Sequence, residues 1–209
     1  MNITVFGATG RTGVPLVRRA LDRGHSVVAF ARSPGKLPIE NPDLTIVEGD
    51  VYTGGGVGNA VEGADVVVSV LGQTDDGPDD LLAVAGERIV AAMDEHGVTR
   101  FVTLVGAGVR EEGESVSITG RAMGLLLKLV AAEVLADARE HVDRLRRTDL
   151  AWTVVRAPRL TDGTGEGAYR AGDIALGFES IVRSDVARFM VDAVEDDQYV
   201  REMPKVGPA

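Results

Sequence analysis

The chain has 209 residues, a formal net charge of −10 at pH 7 and no cysteine. Its 44% hydrophobic and 26% charged residues are typical of a folded globular domain rather than a disordered one. The acidic balance excludes a nucleic-acid partner, because no basic stripe is available to replace the counterions of phosphates. The absence of cysteine excludes disulfides, thiol catalysis and thiolate metal sites.

Only three of the 22 basic residues are lysines, whereas Asp and Glu total 32. This surface indicates a halophilic protein, since high salt screens the repulsion between carboxylates; an ordinary acidic cytosolic protein is the alternative. The most apolar stretch, residues 125–135, is too short to span a bilayer. No signal peptide precedes the first motif, so we expect a cytoplasmic protein without a membrane partner.

The first motif is a short apolar run, Ile3 to Phe6, followed by glycines at positions 7, 10 and 13. Gly7 permits a tight turn, Gly10 lets backbone amides approach a pyrophosphate, and Gly13 allows the next helix to pack closely. The helix predicted from Thr12 to Arg23 directs its positive end at the phosphates. The sequence therefore predicts a dinucleotide site, for which a plain strand-to-helix turn is the alternative. The predicted contacts in this motif are Gly7, Thr9, Gly10, Arg11, Thr12 and Gly13.

The second predicted strand, Ser26 to Phe30, is followed by the residue that selects the cofactor. NAD-specific proteins usually place an acid here to bind the ribose 2′-hydroxyl. This chain instead has Arg32, whose guanidinium suits a 2′-phosphate, so NADP is the predicted cofactor. Ser33 is a secondary contact, and a solvated loop arginine is the alternative.

The third and fourth strands, predicted at 44–47 and 64–70, add further candidates at their carboxyl ends. Asp50 or the backbone of Val51 could meet the adenine, although Asp50 could equally cap its own turn. The fourth strand ends in Leu71, Gly72 and Gln73, which we expect near the ribose. The acids that follow, at 75, 76, 79 and 80, suit the start of a solvated helix better than a metal site.

The second half of the chain continues the alternation of strands and helices. Strands five and six are predicted at 101–105 and 151–155, and Gly106 is a further cofactor candidate. The remaining predictions are a mobile loop over the site at 109–120, a helical pattern at 121–147 that can break near Asp137, an appendage at 164–177, a last helix capped at Ser184 and a terminal strand at 199–203.

These pieces resemble the atypical short-chain dehydrogenase/reductase superfamily, and within it the NAD(P)H-binding, NmrA-like branch that includes flavin reductases of the biliverdin reductase B type. The resemblance implies an α/β fold, a Rossmann-type doubly wound parallel sheet with a small C-terminal substrate-facing region. It also implies one domain over residues 1–209, with 156–183 and 198–203 forming the appendage. The motifs that carry it are residues 7–13, Arg32, 49–51, 152–156 with Pro158, 160–163 and 181–187.

One departure from typical short-chain dehydrogenases bears on the chemistry. Those enzymes move a proton with a Tyr and a Lys four residues later, the Lys lowering the pKa of the phenol. No Tyr-x-x-x-Lys occurs in this chain, and Gly106 and Gly108 stand where many relatives carry Ser or Thr. The positions four residues after Tyr52, Tyr169 and Tyr199 are Gly56, Asp173 and Met203.

Two hypotheses about function follow. The first is an NADPH-dependent reductase that transfers hydride to a conjugated acceptor such as a flavin or quinone, for which positioning suffices. The second is a non-catalytic NADP-binding redox sensor or assembly factor, and a monomer or homodimer fits either. A concave apolar cleft opposite the nicotinamide would favour the reductase. Candidates on the substrate side are Arg156, Pro158, Arg159 and Tyr169, with a salt bridge as the alternative for Arg156 and packing as that for Tyr169.

Overall fold

The computed structural model describes residues 1–73, 77–111, 114, 132–165 and 167–209. Within these residues strands alternate with helices as far as β6, except that only a short 3₁₀ turn joins β2 to β3. The helices are α1 Gly13–Asp22, α2 Val57–Val61, α3 Leu81–Glu95, α4 Ala132–Leu145 and α5 Arg183–Glu195. The strands are β1 Asn2–Phe6, β2 Ser26–Ala31, β3 Leu44–Glu48, β4 Val66–Ser69, β5 Arg100–Gly106, β6 Ala151–Ala157, β7 Arg159–Thr161, β8 Tyr169–Gly172, β9 Ser180–Val182 and β10 Lys205–Pro208.

Within the described residues, eight strands form one sheet in the order β3-β2-β1-β4-β5-β6-β10-β8. Neighbouring strands are parallel except for β8, which runs antiparallel to β10. α1 and α5 pack together on one face, and α3 and α4 pack together on the other. β7 and β9 form a separate parallel pair at the C-terminal side of β6. The predicted Rossmann-type doubly wound sheet with a small C-terminal region is confirmed.

Side chains of β1 point alternately to the two faces of the sheet, and both faces require apolar residues. Ile3 and Val5 belong to the core beneath α1 and α5, whereas Phe6 belongs to the core beneath α2, α3 and α4. Both faces of the strand are therefore covered by helices, as in most parallel sheets. β1 has two polar side chains: Asn2 is exposed, whereas Thr4 is fully buried and donates a 2.6 Å hydrogen bond to the Ala60 carbonyl.

The terminal strand predicted at 199–203 is wrong. The strand is instead β10, which begins two residues after the predicted strand ends, because the preceding segment contains three non-glycine residues in the left-handed region, where a strand cannot continue. These are Asp197, Tyr199 and Arg201, at φ +49°, +56° and +60°. The buried guanidinium of Arg100 stabilises this turn by donating hydrogen bonds to the carbonyls of Ala193 and Gln198.

Two helix predictions also need correction. α4 runs without a break through Asp137. The last helix begins at Arg183, one residue before the predicted cap, and Ser184 instead accepts a 3.0 Å hydrogen bond from the Gly165 amide. Parts of four predictions lie outside the described residues: 112–113 and 115–120 of the loop, 121–131 of the helical pattern, residue 166 of the appendage, and Asp75 and Asp76 of the acidic run.

The described part of the chain contains no helix that is long and apolar enough to cross a membrane. It also contains no cluster of three or more His, Asp or Glu side chains that could hold a metal ion. Asp80 has its own role near the start of α3, where its carboxylate accepts a 3.0 Å hydrogen bond from the Tyr52 hydroxyl.

Candidate functional site

The parallel register brings the carboxyl ends of the central strands to one edge of the sheet. Phe6 at the end of β1 lies between Phe30 of β2 and Ser69 of β4. The strand order reverses between β1 and β4, and open α/β sheets bind ligands at such a switch point. The segments after β1, β2 and β4 therefore meet at the edge where a dinucleotide would bind.

The glycine loop after β1 is shaped by close backbone approaches. Gly7 has φ +82°, and a Cβ there would lie 2.9 Å from the carbonyl carbon of Val70, in the segment after β4. A Cβ on Gly13 would overlap the Gly7 carbonyl oxygen and lie 2.7 Å from the Ala8 carbonyl carbon. The Gly10 amide closes the turn with a 2.9 Å hydrogen bond to the Gly7 carbonyl.

α1 starts directly from this loop, at Gly13 rather than at Thr12. Thr12 is buried and makes no side-chain cap, so the first amides of the helix have no side-chain partner from the N-cap residue. The Val14 amide donates a 3.0 Å hydrogen bond to the Gly10 carbonyl, and Pro15 has no amide hydrogen, so α1 offers a pyrophosphate mainly the positive end of its dipole. Thr9 and Gly10 lie at the surface of the same loop, and the whole segment fits the phosphates of an NAD(P) cofactor.

Arg11 joins the glycine loop to the C-terminal region. Its guanidinium is 73% exposed and lies 3.5 Å from the carboxylate of Asp162, which follows β7. The same carboxylate accepts a 2.6 Å hydrogen bond from Arg183 at the start of α5. Asp162 lay within a sequence motif but was not predicted as a site residue, because nothing in its spacing shows that β7 reaches the glycine loop.

Arg32 follows β2 and is exposed. Among the described residues its side chain has no hydrogen bond or ion pair. Lys36, at the end of a short 3₁₀ turn over Pro34–Lys36, is also exposed and its side chain has no partner in the described part of the chain. Ser33 lies between the two cations. Each of these exposed cations could attract a phosphate, and Lys36 was not among the candidates predicted from the sequence.

Asp50 and Val51 lie after β3, and their side chains are already engaged. The Asp50 carboxylate accepts a 2.9 Å hydrogen bond from the Tyr52 amide, which closes a local turn. Val51 is buried in the core beside Phe30. The Tyr52 contact matches the capping alternative for Asp50, whose half-buried carboxylate still has further acceptor positions.

Gln73 has a defined environment in the segment after β4. Its side-chain amide nitrogen Nε2 donates a 3.0 Å hydrogen bond to Asp137 and another to the Asp79 carbonyl. Leu71 is half-buried and Gly72 is exposed. Gly106, at the end of β5, is exposed as well, and a Cβ there would meet nothing within 4 Å.

Arg156 has the protein partners of a structural ion pair. The side chain is 2% exposed, and its guanidinium donates hydrogen bonds to the carbonyls of Met203 and Val109 and to the carboxylate of Glu114. Glu114 also pairs with Lys205, at 2.6 Å. The geometry matches the salt-bridge alternative, so we leave Arg156 out of the proposed acceptor site.

The carboxyl group of Glu114 has a strongly shifted pKa. Burial by itself raises this pKa, but the hydrogen bonds from Lys205 and Arg156 outweigh burial and lower it to about 2. Because the folded-state pKa lies below the usual 4.5, the ionised group stabilises the fold fully above that pH. This contribution is lost as the pH falls from 4.5 toward 2.

We expect Glu114→Gln to lower the free energy of unfolding at pH 7 by on the order of 3 kcal/mol, since one pKa unit corresponds to about 1.4 kcal/mol. The deficit relative to wild type should shrink as the pH falls toward 2. Urea unfolding between pH 7 and 2.5 measures both effects. Glu111→Gln is the matched control, because Glu111 lies 3.6 Å from Arg156 and is 42% exposed. If both variants lowered the free energy of unfolding equally, the ion pairs of Glu114 would not be the source of the stabilisation.

The other substrate-side candidates differ in accessibility. Arg159 is exposed at the start of β7, and Pro158 is half-buried beside it. The Tyr169 hydroxyl donates a 2.9 Å hydrogen bond to Asp192, and its ring lies edge-on to Phe189. Burial and the Asp192 contact raise the pKa of Tyr169 to about 12, so this phenol is a poor proton donor at neutral pH.

A cleft of about 600 Å³ lies between α3 and α4. Its walls include Val90, Leu145 and Leu150 together with Thr99, which directly precedes β5. The cleft therefore opens near the amino ends of β5 and β6, away from the glycine loop. It does not discriminate between the two functional hypotheses, which concern the opposite edge of the sheet.

Comparison with known proteins shows the family to which the chain belongs. A family model described as NAD(P)H-binding matches residues 7–197, from the first glycine of the loop to the turn after α5. The chain belongs to this NAD(P)H-binding family, in agreement with the resemblance to atypical short-chain dehydrogenases/reductases. Cofactor binding of the NAD(P)H class is thus a family property of the chain, and the choice between the two dinucleotides is a separate question.

The chain is 27% identical to the uncharacterized protein YwnB of Bacillus subtilis, over 97% of this chain and 96% of that protein. It is 31% identical to the photosystem II assembly factor Ycf39 of a Synechocystis species, over 99% of this chain but 63% of Ycf39. A solved short-chain dehydrogenase/reductase of Veillonella parvula, in complex with NADP, has the same fold, with 20% identity, a TM-score of 0.81 and 99% and 94% coverage. The matches to several other curated relatives cover only 18% to 49% of the length of each relative.

Proposed function

We propose that the protein is an NADPH-dependent reductase that transfers hydride to a conjugated acceptor such as a flavin or quinone, acting in the cytoplasm as a monomer or homodimer. The observation that carries the cofactor assignment is the guanidinium of Arg32, which follows β2, is exposed and has no partner within the described part of the chain. An acid would stand near this position in a protein that selects NAD. Lys36 supplies a second charge for the same 2′-phosphate.

The acceptor class follows from the groups available for proton transfer. The nicotinamide supplies the hydride, and a flavin or quinone ring accepts it and takes its proton from water. Such a reaction needs positioning and exclusion of side reactions rather than a protein acid. Among the three tyrosines, Tyr169 has a raised pKa and a carboxylate partner, and none has a Lys four residues later. The exposed Arg159 is the remaining charged candidate for contacting the acceptor.

The alternative is a non-catalytic NADP-binding redox sensor or assembly factor of the NmrA-like type. The similarity to Ycf39, an assembly factor that matches 99% of this chain, favours it specifically. In this case the cofactor would regulate binding to a protein partner. The two functions differ in whether bound NADPH is consumed.

The deciding experiment follows NADPH absorbance in molar KCl with FMN, FAD and a small quinone offered in turn, and with NADH as the comparison. Turnover with one acceptor and a clear preference for NADPH is the expected result. Tight NADPH binding without turnover on any acceptor would replace the reductase with the sensor. A preference for NADH would contradict the role of Arg32.

We also propose that the protein is halophilic, and expect its midpoint of thermal unfolding to rise with salt. Raising KCl from 0.1 to 2 M at pH 7.5 should increase the midpoint by roughly 5 °C, because the salt screens repulsion within a chain of net charge −10. Scanning calorimetry measures it. At pH 5, close to the sequence pI of 4.8, the same salt step should have much less effect. A midpoint insensitive to KCl at pH 7.5 would contradict the adaptation.

A further inference from the structure

Asp137 is a buried carboxylate with an unusual set of partners. It lies on α4 and is 5% exposed. Its Oδ1 accepts a 2.8 Å hydrogen bond from the Ala83 amide, and its Oδ2 a 2.9 Å hydrogen bond from the Leu82 amide. α4 thereby caps the start of α3, where the N-cap residue Asp80 makes no side-chain cap of its own. The same Oδ2 also accepts the hydrogen bond from Gln73.

These contacts fix the orientation of the Gln73 amide. A primary amide has two N–H donors on Nε2 and one carbonyl oxygen, Oε1. Both donors of Gln73 are occupied, one by Asp137 and one by the Asp79 carbonyl. Rotating the amide by 180° would turn Oε1 toward two acceptors and lose both hydrogen bonds. The structure therefore leaves only Oε1, an acceptor, for any bound molecule.

Gln73 lies at the dinucleotide edge of the sheet. The segment containing it leaves β4 beside the glycine loop, since a Cβ on Gly7 would lie 3.0 Å from the Leu71 amide nitrogen. A ribose hydroxyl can donate a hydrogen bond to Oε1, whereas an ionised phosphate oxygen has no proton to donate. A glutamine held in this way suits the sugar of a dinucleotide and not its phosphates.

We propose that Asp137 is a positioning residue of the cofactor site, which holds the Gln73 amide so that Oε1 accepts a hydrogen bond from a ribose hydroxyl of NADPH. This inference rests on the proposed NADPH binding. It gives the buried carboxylate of α4 a role in ligand affinity as well as in packing. Coupling between Asp137 and Gln73 in NADPH binding is its specific consequence.

The test measures the Kd of NADPH by nucleotide fluorescence for wild type, Gln73→Leu, Asp137→Asn and the double variant. Each single variant should weaken binding about 5- to 10-fold, the size of one lost hydrogen bond. The double variant should bind no more weakly than Gln73→Leu alone, because both changes remove the same contact. A merely structural Asp137 would instead give losses that multiply, or a loss of stability with no change in Kd.

Gln73→Leu leaves the Leu82 and Ala83 contacts of Asp137 intact, so its result stands even if Asp137→Asn does not fold. Gln73→Glu then tests the contact with Asp137 without changing Asp137 itself. The glutamate keeps acceptor oxygens but cannot donate a hydrogen bond to Asp137, so this variant should bind NADPH at least 5-fold more weakly than wild type. Wild-type affinity in that variant would overturn the inference. Asp143→Asn, an exposed change on the same helix, is the control.

Binding also separates this inference from the proposed function. If the wild-type protein binds NADPH but reduces no acceptor, the reductase proposal is contradicted. The Kd values of the variants still test the coupling between Asp137 and Gln73 in that case. A wild-type protein that binds neither NADPH nor NADH overturns both. Binding of NADPH that Gln73→Leu leaves unchanged overturns the inference alone.

Discussion

Replacement of Gly13 by alanine is expected to abolish NADPH binding, raising the Kd at least about 100-fold, and to lower the free energy of unfolding by about 3 kcal/mol. The added Cβ would overlap the Gly7 carbonyl oxygen and approach Ala8 to 2.7 Å. Both obstacles are backbone atoms, which cannot rotate away as a side chain would. The glycine loop must therefore shift, and the amides that face the pyrophosphate shift with it. Nucleotide fluorescence and urea unfolding measure the two effects.

Gly177→Ala is the matched control for this substitution. A Cβ at Gly177 meets nothing within 4 Å, and the backbone there is outside the left-handed region. We expect wild-type binding and unfolding from this variant. If Gly13→Ala behaves like the control, close packing of α1 on the glycine loop is not required for cofactor binding.

Replacement of Arg32 by glutamine is expected to raise the KM for NADPH about 30-fold and leave the KM for NADH within a factor of two. A charge-assisted hydrogen bond to phosphate is worth about 1.5 to 3 kcal/mol, and only NADPH carries the 2′-phosphate. Lys36→Gln should also raise the KM for NADPH, but by less, since an ammonium makes no bidentate contact with a phosphate. Steady-state kinetics with both nucleotides, or their Kd values, measure the selectivity.

Arg139→Gln controls for the loss of one positive charge, because Arg139 is exposed on α4, far along the chain from β2. It should leave the preference for NADPH intact. Equal losses for NADPH and NADH in Arg32→Gln would show that Arg32 contacts a part common to both nucleotides, such as the adenine, and would remove the argument for NADP.

The sequence predicted those parts of the fold that depend on neighbouring residues. The run from Ile3 to Phe6, the glycine spacing and the start of α1 reflect local rules, since burial on both faces and a tight turn each leave a short pattern. Gly24, which directly follows the helix predicted from Thr12 to Arg23, adopts φ +80° as a C-cap glycine should. The parallel direction of the central strands then follows from the helical crossovers between them.

Contacts between residues distant in sequence were not predictable in the same way. Asp137 suggested a helix break because an acid in an apolar stripe is unfavourable, but the amides of α3, about 55 residues earlier, satisfy it. Arg156 suggested a ligand for an anion, and its partners came from segments 42 to 47 residues away. Residues 199–203 have strand-forming side chains, yet their backbone is held in a turn by Arg100.

The position of β10 has a consequence for the synthesis of the protein. β10 is the last strand in the chain, yet it lies inside the sheet between β6 and β8. β10 cannot pair with β6 or β8 until residues 205–208 have left the ribosome. The ion pair between Glu114 and Lys205 cannot form before that point either. Until then the edge of β6 is open to other chains, so a nascent chain is exposed to aggregation at this edge until residues 205–208 have emerged.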